Sequence, residues 1–190
     1  MSMKSLEVIR DEHRALAAML SGMRTLVQGI GAGRLKPDYD LLASMIEYID
    51  KVPEKVHHPK EDQYLFAKLR LRCSEALPVI EALEEEHRQG DVRIAALSAA
   101  LQNYRQQGEA GFEGFRDALQ TYLEQEWHHM NTEEGKILPL ARAHLTPEDW
   151  AEIDAAFLAN DNPWQGPAGE YAALFSRIVN IAPAPVGLGG

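Results

Sequence analysis

The chain has 190 residues, 45% of them hydrophobic, with 19 Lys and Arg against 29 Asp and Glu and a net charge of −10. That length suits one domain with a substantial core and a small appendage. The acidic balance argues against a nucleic-acid-binding surface, which needs clustered Lys and Arg, and the single cysteine, Cys73, excludes an intramolecular disulfide or a tetrathiolate zinc or iron–sulfur site.

The helical period runs through the whole chain. Leu6, Ile9, His13, Leu16, Leu20, Met23 and Val27 step by three and four, which puts them on one helix face. The stretch "QGIGAGRLKP" reads as a loop. Asp38 is the expected N-cap of a second helix through Leu42, Met45, Ile46 and Ile49 to about Arg70. Pro53 and Pro59 lie inside it, so a kink or short break is expected.

Ser74 is the expected cap of a third helix, with Ile80, Leu83, His87, Ile94, Leu97, Leu101 and Tyr104 facing inward. The glycines of "QQGEAG" end it. A fourth helix carries Phe115, Leu119, Tyr122, Glu126, His129, Glu133, Ile137 and Leu140. Thr146-Pro147-Glu148 is a start signal for a short fifth helix. A last short helix is expected over 170–181, then a disordered tail, "APAPVGLGG". No strand signal competes.

Four long amphipathic helices with short loops predict an all-α, up-down-up-down four-helix bundle over 1–145, with a short C-terminal helical extension and flexible tail over 146–190. "MSMKSLEVIRDEHRAL" contains no apolar run typical of a signal peptide, and no stretch has the length and hydrophobicity of a transmembrane helix. A cytoplasmic protein without a membrane or nucleic-acid partner is the expectation.

His13, His87, His129 and Glu133 interrupt otherwise apolar stripes. A lone histidine there reads most simply as a hydrogen-bonded core residue. Several together at one height read differently. At about 1.5 Å of rise per residue, His13, His57, His87 and His129 fall within about 5 Å of a common level in an antiparallel bundle. Glu61 and Glu133 lie four residues after His57 and His129, one turn away on the same face. Such a cluster is expensive to bury without a partner, and a metal supplies one. Imidazoles and carboxylates bind first-row transition metals. Six side chains are too many for one tetrahedral zinc and suit two iron ions sharing carboxylates, with a position left open. The same ligands accept zinc, manganese or nickel.

The segments "DEH" at 11–13, "HHPKED" at 57–62, "EEEH" at 84–87 and "HHMNTEE" at 128–134 resemble the hemerythrin HHE cation-binding family over about residues 5–142. The resemblance implies a non-haem di-iron centre, with His13, His57, His87 and His129 as terminal ligands and Glu61 and Glu133 as bridges. It also implies a small diatomic or peroxide ligand: dioxygen, nitric oxide or peroxide. One departure stands out. Oxygen-carrying hemerythrins have a second ligand histidine on the third helix, one turn from the first. The residues four before and four after His87 are Leu83 and Asp91.

Water, His58, His128 or another side chain is left to fill that place. On an ideal helix His58 and His128 point about 100° away from their ligand neighbours, toward solvent or a supporting contact, although the Pro59 kink can swing His58 inward. Glu54 and Glu126 each stand three before a ligand histidine. They read as solvated residues, or as the Glu-x-x-His pairs of a ferritin-like oxidoreductase (peroxidase, oxidase or ferroxidase). A regulatory adaptor merely stabilised by metal is a third reading. No nucleophile arrangement or phosphate-binding glycine loop stands out.

Overall fold

The computed structural model describes residues 3–159 and, beyond them, only 176, 179 and 180. The helix expected over 170–181 and the terminal tail therefore lie almost wholly outside the described residues. Among the described residues there is no strand, and five helical runs lie between Lys4 and Ala159.

Helix α1 spans Lys4–Gly31 and buries Leu6, Ile9, His13, Leu16, Leu20, Met23 and Val27, the stripe its period predicts. Helix α2 covers 39–72. Asp38 caps it, its carboxylate accepting from the backbone N–H of Leu41 at 2.9 Å. The run stays continuous past both prolines: a regular turn over Tyr39–Ile49, a wide π-helical stretch over Asp50–His57, three α-residues, a second π stretch over Glu61–Phe66, and a regular end over Ala67–Arg72. The kink expected at Pro53 is thus a change of winding. Pro53 lacks an N–H, and its carbonyl accepts from the N–H of His58, five residues on.

Cys73, extended at φ −141°, ends α2. Ser74 does not cap the next helix; Ser74–Ala76 is a single 3-10 turn without a side-chain cap. Pro78 then sits in the first turn of α3, Leu77–Gln107, where its missing N–H costs nothing. Gly108, at φ 59°, reverses the chain in one residue. Helix α4 follows at once, as Glu109–Thr132, a π stretch over Glu133–Ile137 and Leu138–His144.

Helix α5, Pro147–Ala159, begins with a reciprocal cap between Thr146 and Asp149. It is stitched to the bundle at its first turn and at its middle. The Asp149 carboxylate accepts from Arg72 at 2.8 Å. Asp154 accepts from the N–H and hydroxyl of Ser5 at 2.8 and 2.6 Å, capping α1 from another helix.

The core is in two parts. One holds Leu20, Met23, Leu42, Met45, Ile49, Leu97, Leu101, Phe115 and Leu119. The other holds Ile9, Leu65, Phe66, Leu69, Ile80, Leu83 and Ile137, closed by Trp150, Ile153 and Phe157 of α5. Each of α1 to α4 passes from one core to the other, and at each crossing it buries polar side chains: Glu12 and His13; Glu54, His57, His58, Lys60 and Glu61; His87; Glu126, His129 and Glu133. The candidate site is this layer.

Candidate metal centre

Two histidine pairs face one another across the layer. His13 Nε2 lies 3.2 Å from His57 Nε2, and His87 Nε2 lies 3.0 Å from His129 Nε2. Glu61 and Glu133, each fully buried, stand between the pairs. Glu133 reaches His13 at 3.1 Å and His129 at 3.3 Å. Glu61 reaches His57 at 3.4 Å and His87 at 3.9 Å. The structure thus brings together all six of His13, His57, Glu61, His87, His129 and Glu133. Their donor atoms form two overlapping groups, His13–His57–Glu61–Glu133 and Glu61–His87–His129–Glu133, each within 4.8 Å internally.

His58 joins a third group, with His87 and His129. Its side chain is buried. Its ring stacks on His87 with centroids 4.2 Å apart and meets His129 edge-on at 5.1 Å. The ideal-helix expectation that His58 points away is therefore corrected: the π turn ending at His57 brings the neighbouring side chains to the same interior. His128 is exposed and takes no part. Glu54 and Glu126 are buried, not solvated, and neither belongs to a donor group. Glu54 faces His58 Nδ1 at 3.3 Å and accepts from the Tyr122 hydroxyl at 3.3 Å. Glu126 lies 3.6 Å from Arg93.

The outer nitrogen of every facing histidine meets a carboxylate. His13 Nδ1 donates to Glu134 at 3.0 Å, His57 Nδ1 to Glu12 at 2.6 Å, His87 Nδ1 to Asp62 at 2.7 Å and His129 Nδ1 to Glu86 at 2.7 Å. A carboxylate only accepts, so Nδ1 carries the hydrogen, and Nε2 of a neutral ring presents its lone pair inward. These four acids follow the internal repeat. Glu12 and Glu86 immediately precede the lone histidines; Asp62 and Glu134 immediately follow the shared glutamates. Sequence reasoning passed over them as supports, although their adjacency to the six candidates was a usable signal.

Two lone pairs facing at about 3 Å repel, and both carboxylate oxygens of Glu61 and of Glu133 are buried without a hydrogen-bond partner. The chain alone answers with protons. Burial opposes the charge on His129, but Glu133 and Glu86 outweigh it and raise the ring's pKa to about 10. His13 is likewise raised against burial by Glu133 and Glu134. Burial and then the charge of Glu133 push Glu61 far up. Glu133 itself is held well below the usual range, because His129 and His13 overcome its desolvation. His58 is driven well down by burial and by His87 and His129, so its ring is neutral. Inward lone pairs, unpartnered carboxylates and an outer ring of acids fit divalent transition-metal ions.

A family model, the hemerythrin HHE cation-binding domain, matches residues 4–141. No curated protein and no solved structure matched the chain. The family match covers the first three bundle helices, the fourth as far as Ala141, and every histidine and glutamate of the buried layer, and the chain belongs to the hemerythrin HHE cation-binding family.

Proposed function

We propose that the protein is a non-haem di-iron protein that binds, senses or reacts with dioxygen, nitric oxide or peroxide. The observation that carries this reading is the pair of overlapping donor groups sharing Glu61 and Glu133. Two shared carboxylates can bridge two adjacent ions, which lie about 3.5–4 Å apart in two-metal sites. In this reading His13 and His57 would hold one ion, His58, His87 and His129 the other, and Glu61 and Glu133 would be shared between them. His58 takes the place of the histidine that oxygen carriers have on their third helix.

Bound iron would supply Lewis acidity and electrons at an open position. The chain supplies the rest. Glu12, Glu134, Asp62 and Glu86 hold four imidazoles by Nδ1 and keep Nε2 turned inward. The two apolar cores exclude water from either side. The His13 half offers two histidines and the two shared carboxylates, one imidazole fewer than the other half, and would leave room for a small ligand there. The ferritin-like reading needs Glu54 and Glu126 as donors. Glu54 is engaged by His58 and Tyr122 instead, which favours the hemerythrin-like centre.

Anaerobic titration with iron(II), followed by exposure to dioxygen, peroxide and nitric oxide with optical detection, tests the reading. Saturation near two irons per chain and a charge-transfer band with one of these ligands are expected. Saturation at a single ion, or two irons inert to all three ligands, would overturn it.

A further inference from the structure

Gly90 lies in the interior of α3, three residues after His87, and is buried. Glycine is about 1 kcal/mol worse than alanine at such a position on helix propensity alone, and Gly90 faces the Glu54 carboxylate. A Cβ built on Gly90 would overlap Glu54 Oε2 and stand 2.7 Å from Glu54 Cδ. The Glu54 carboxylate lies in the notch of the bare backbone. From there Oε1 accepts from the Tyr122 hydroxyl and Oε2 meets His58 Nδ1. Three helices thus set one imidazole: α2 supplies His58 and Glu54, α3 the notch, α4 the tyrosine.

We propose that Gly90 and Glu54 are positioning residues for His58, the missing side chain at 90 letting the Glu54 carboxylate hold the His58 ring with Nε2 turned to its half of the centre. The inference rests on the reading of His58 as a metal ligand. It explains how α2 can furnish a histidine that α3 lacks. Leu83 is packed in the core, and Asp91 is exposed and paired with Lys55. The α3 residue that faces the His58 support is Gly90. The other four histidines lean on acids adjacent in sequence to a candidate ligand; Glu54 is adjacent to none and needs a seat made by another helix.

The test compares Gly90→Ala, Glu54→Ala, the double variant and His58→Ala in the full chain. The group that must move in Gly90→Ala is a side-chain end, not backbone, so the variant folds, and circular dichroism of the metal-free protein checks this. The probe is cobalt(II). Proton NMR of the loaded protein reads the exchangeable, paramagnetically shifted Nδ1–H signals of bound imidazoles, and a competing chelator reads affinity. The parent chain is expected to give five such signals, from His13, His57, His58, His87 and His129. Gly90→Ala and Glu54→Ala are each expected to lose or displace one signal and to weaken one of the two cobalt steps about 10–100-fold. The double variant should be no worse than Glu54→Ala. Glu54→Gln, which keeps an acceptor oxygen, should restore the signal. If His58→Ala keeps every signal and both affinities, the ligand reading of His58 fails. If His58→Ala loses one while Gly90→Ala leaves all five signals and both affinities intact, the ligand reading stands and the positioning proposal is overturned.

Discussion

His57 and His58 are neighbours in the chain, yet they serve opposite halves of one buried layer. His57 Nε2 lies 3.2 Å from His13 Nε2, whereas the ring of His58 stacks on His87 at 4.2 Å. A regular α-helix separates adjacent side chains by about 100°. The wider π winding of Asp50–His57 lets both reach the interior.

Replacing His58 is accordingly expected to cost far more than replacing His128, the other member of a His-His pair. His58→Ala removes a buried imidazole and leaves Glu54 without that partner. We expect at least a tenfold loss of affinity for one metal ion, the scale of losing even a supporting contact. His128→Ala changes an exposed ring and should stay within about 0.5 kcal/mol in stability. Iron content after dialysis against a weak chelator measures both. Equal iron retention would show that the π turn does not deliver His58 as a ligand.

The acids behind the histidines should differ among themselves. The Glu12 side chain is 4% exposed and that of Glu134 46%. Glu12→Ala removes the Nδ1 partner of His57 where no water easily replaces it. It should weaken metal binding about 10–100-fold. Glu134→Ala opens a space that water fills and should fall at or below the low end of that range. Competition with a chromophoric chelator gives the constants. Parent-like affinity for Glu12→Ala would contradict this account.

Metal binding should release protons. His129, with a pKa of about 10 in the metal-free chain, is protonated at pH 7, and Glu61, raised by burial and by Glu133, retains a proton to unusually high pH. A metal must displace both. Apparent affinity should therefore rise with pH until His129 deprotonates near 10, and fall as pH drops. The metal-free protein runs the other way. A folded pKa raised from 6.5 to about 10 gives His129 a stabilising contribution that is complete below about 6.5 and lost as pH rises through 10. Calorimetry in buffers of different ionisation enthalpy counts the protons; no net release at pH 7 would refute the scheme.

Helix α5 should matter for stability but not for the metal. Phe157 is 1% exposed and carries the Lys60 ammonium 5.6 Å from its ring centre, while the candidate donor residues all lie on α1 to α4. Phe157→Ala should cost about 3–5 kcal/mol and leave the number of bound ions unchanged. Denaturant melts of the metal-free and loaded protein check the first, elemental analysis the second. A folded variant that has lost an ion would place α5 within the metal site's support.

Much of this arrangement was readable from spacing. The stripe of α1, the Asp38 cap and the Thr146 start follow from local chemistry, and the common height of His13, His57, His87 and His129 follows from rise per residue and short connections. In the sequence the inward turn of His58 is only an alternative hung on Pro59, because angular reasoning assumes 3.6 residues per turn and the chain departs from that winding over Asp50–His57. Spacing leaves Glu54 and Glu126 open between solvated residues and Glu-x-x-His donors, because their burial depends on Tyr122, Arg93 and Gly90, contributed by other helices. Ser74 looked like a cap, but Pro78 and a 3-10 turn start α3 without one.

The polar layer between the two apolar cores has a mechanical consequence. Each core is built from segments of α1 to α4, and α5 closes only the one that contains Phe157. The layer of buried carboxylates and crowded imidazoles interrupts the apolar packing, so cohesion is expected to be weaker halfway along the helices than within either core. Backbone amides near His57 and His129 would then exchange with solvent sooner than those of the flanking hydrophobic blocks. Filling the layer would turn two loosely coupled halves into a single cooperative rod.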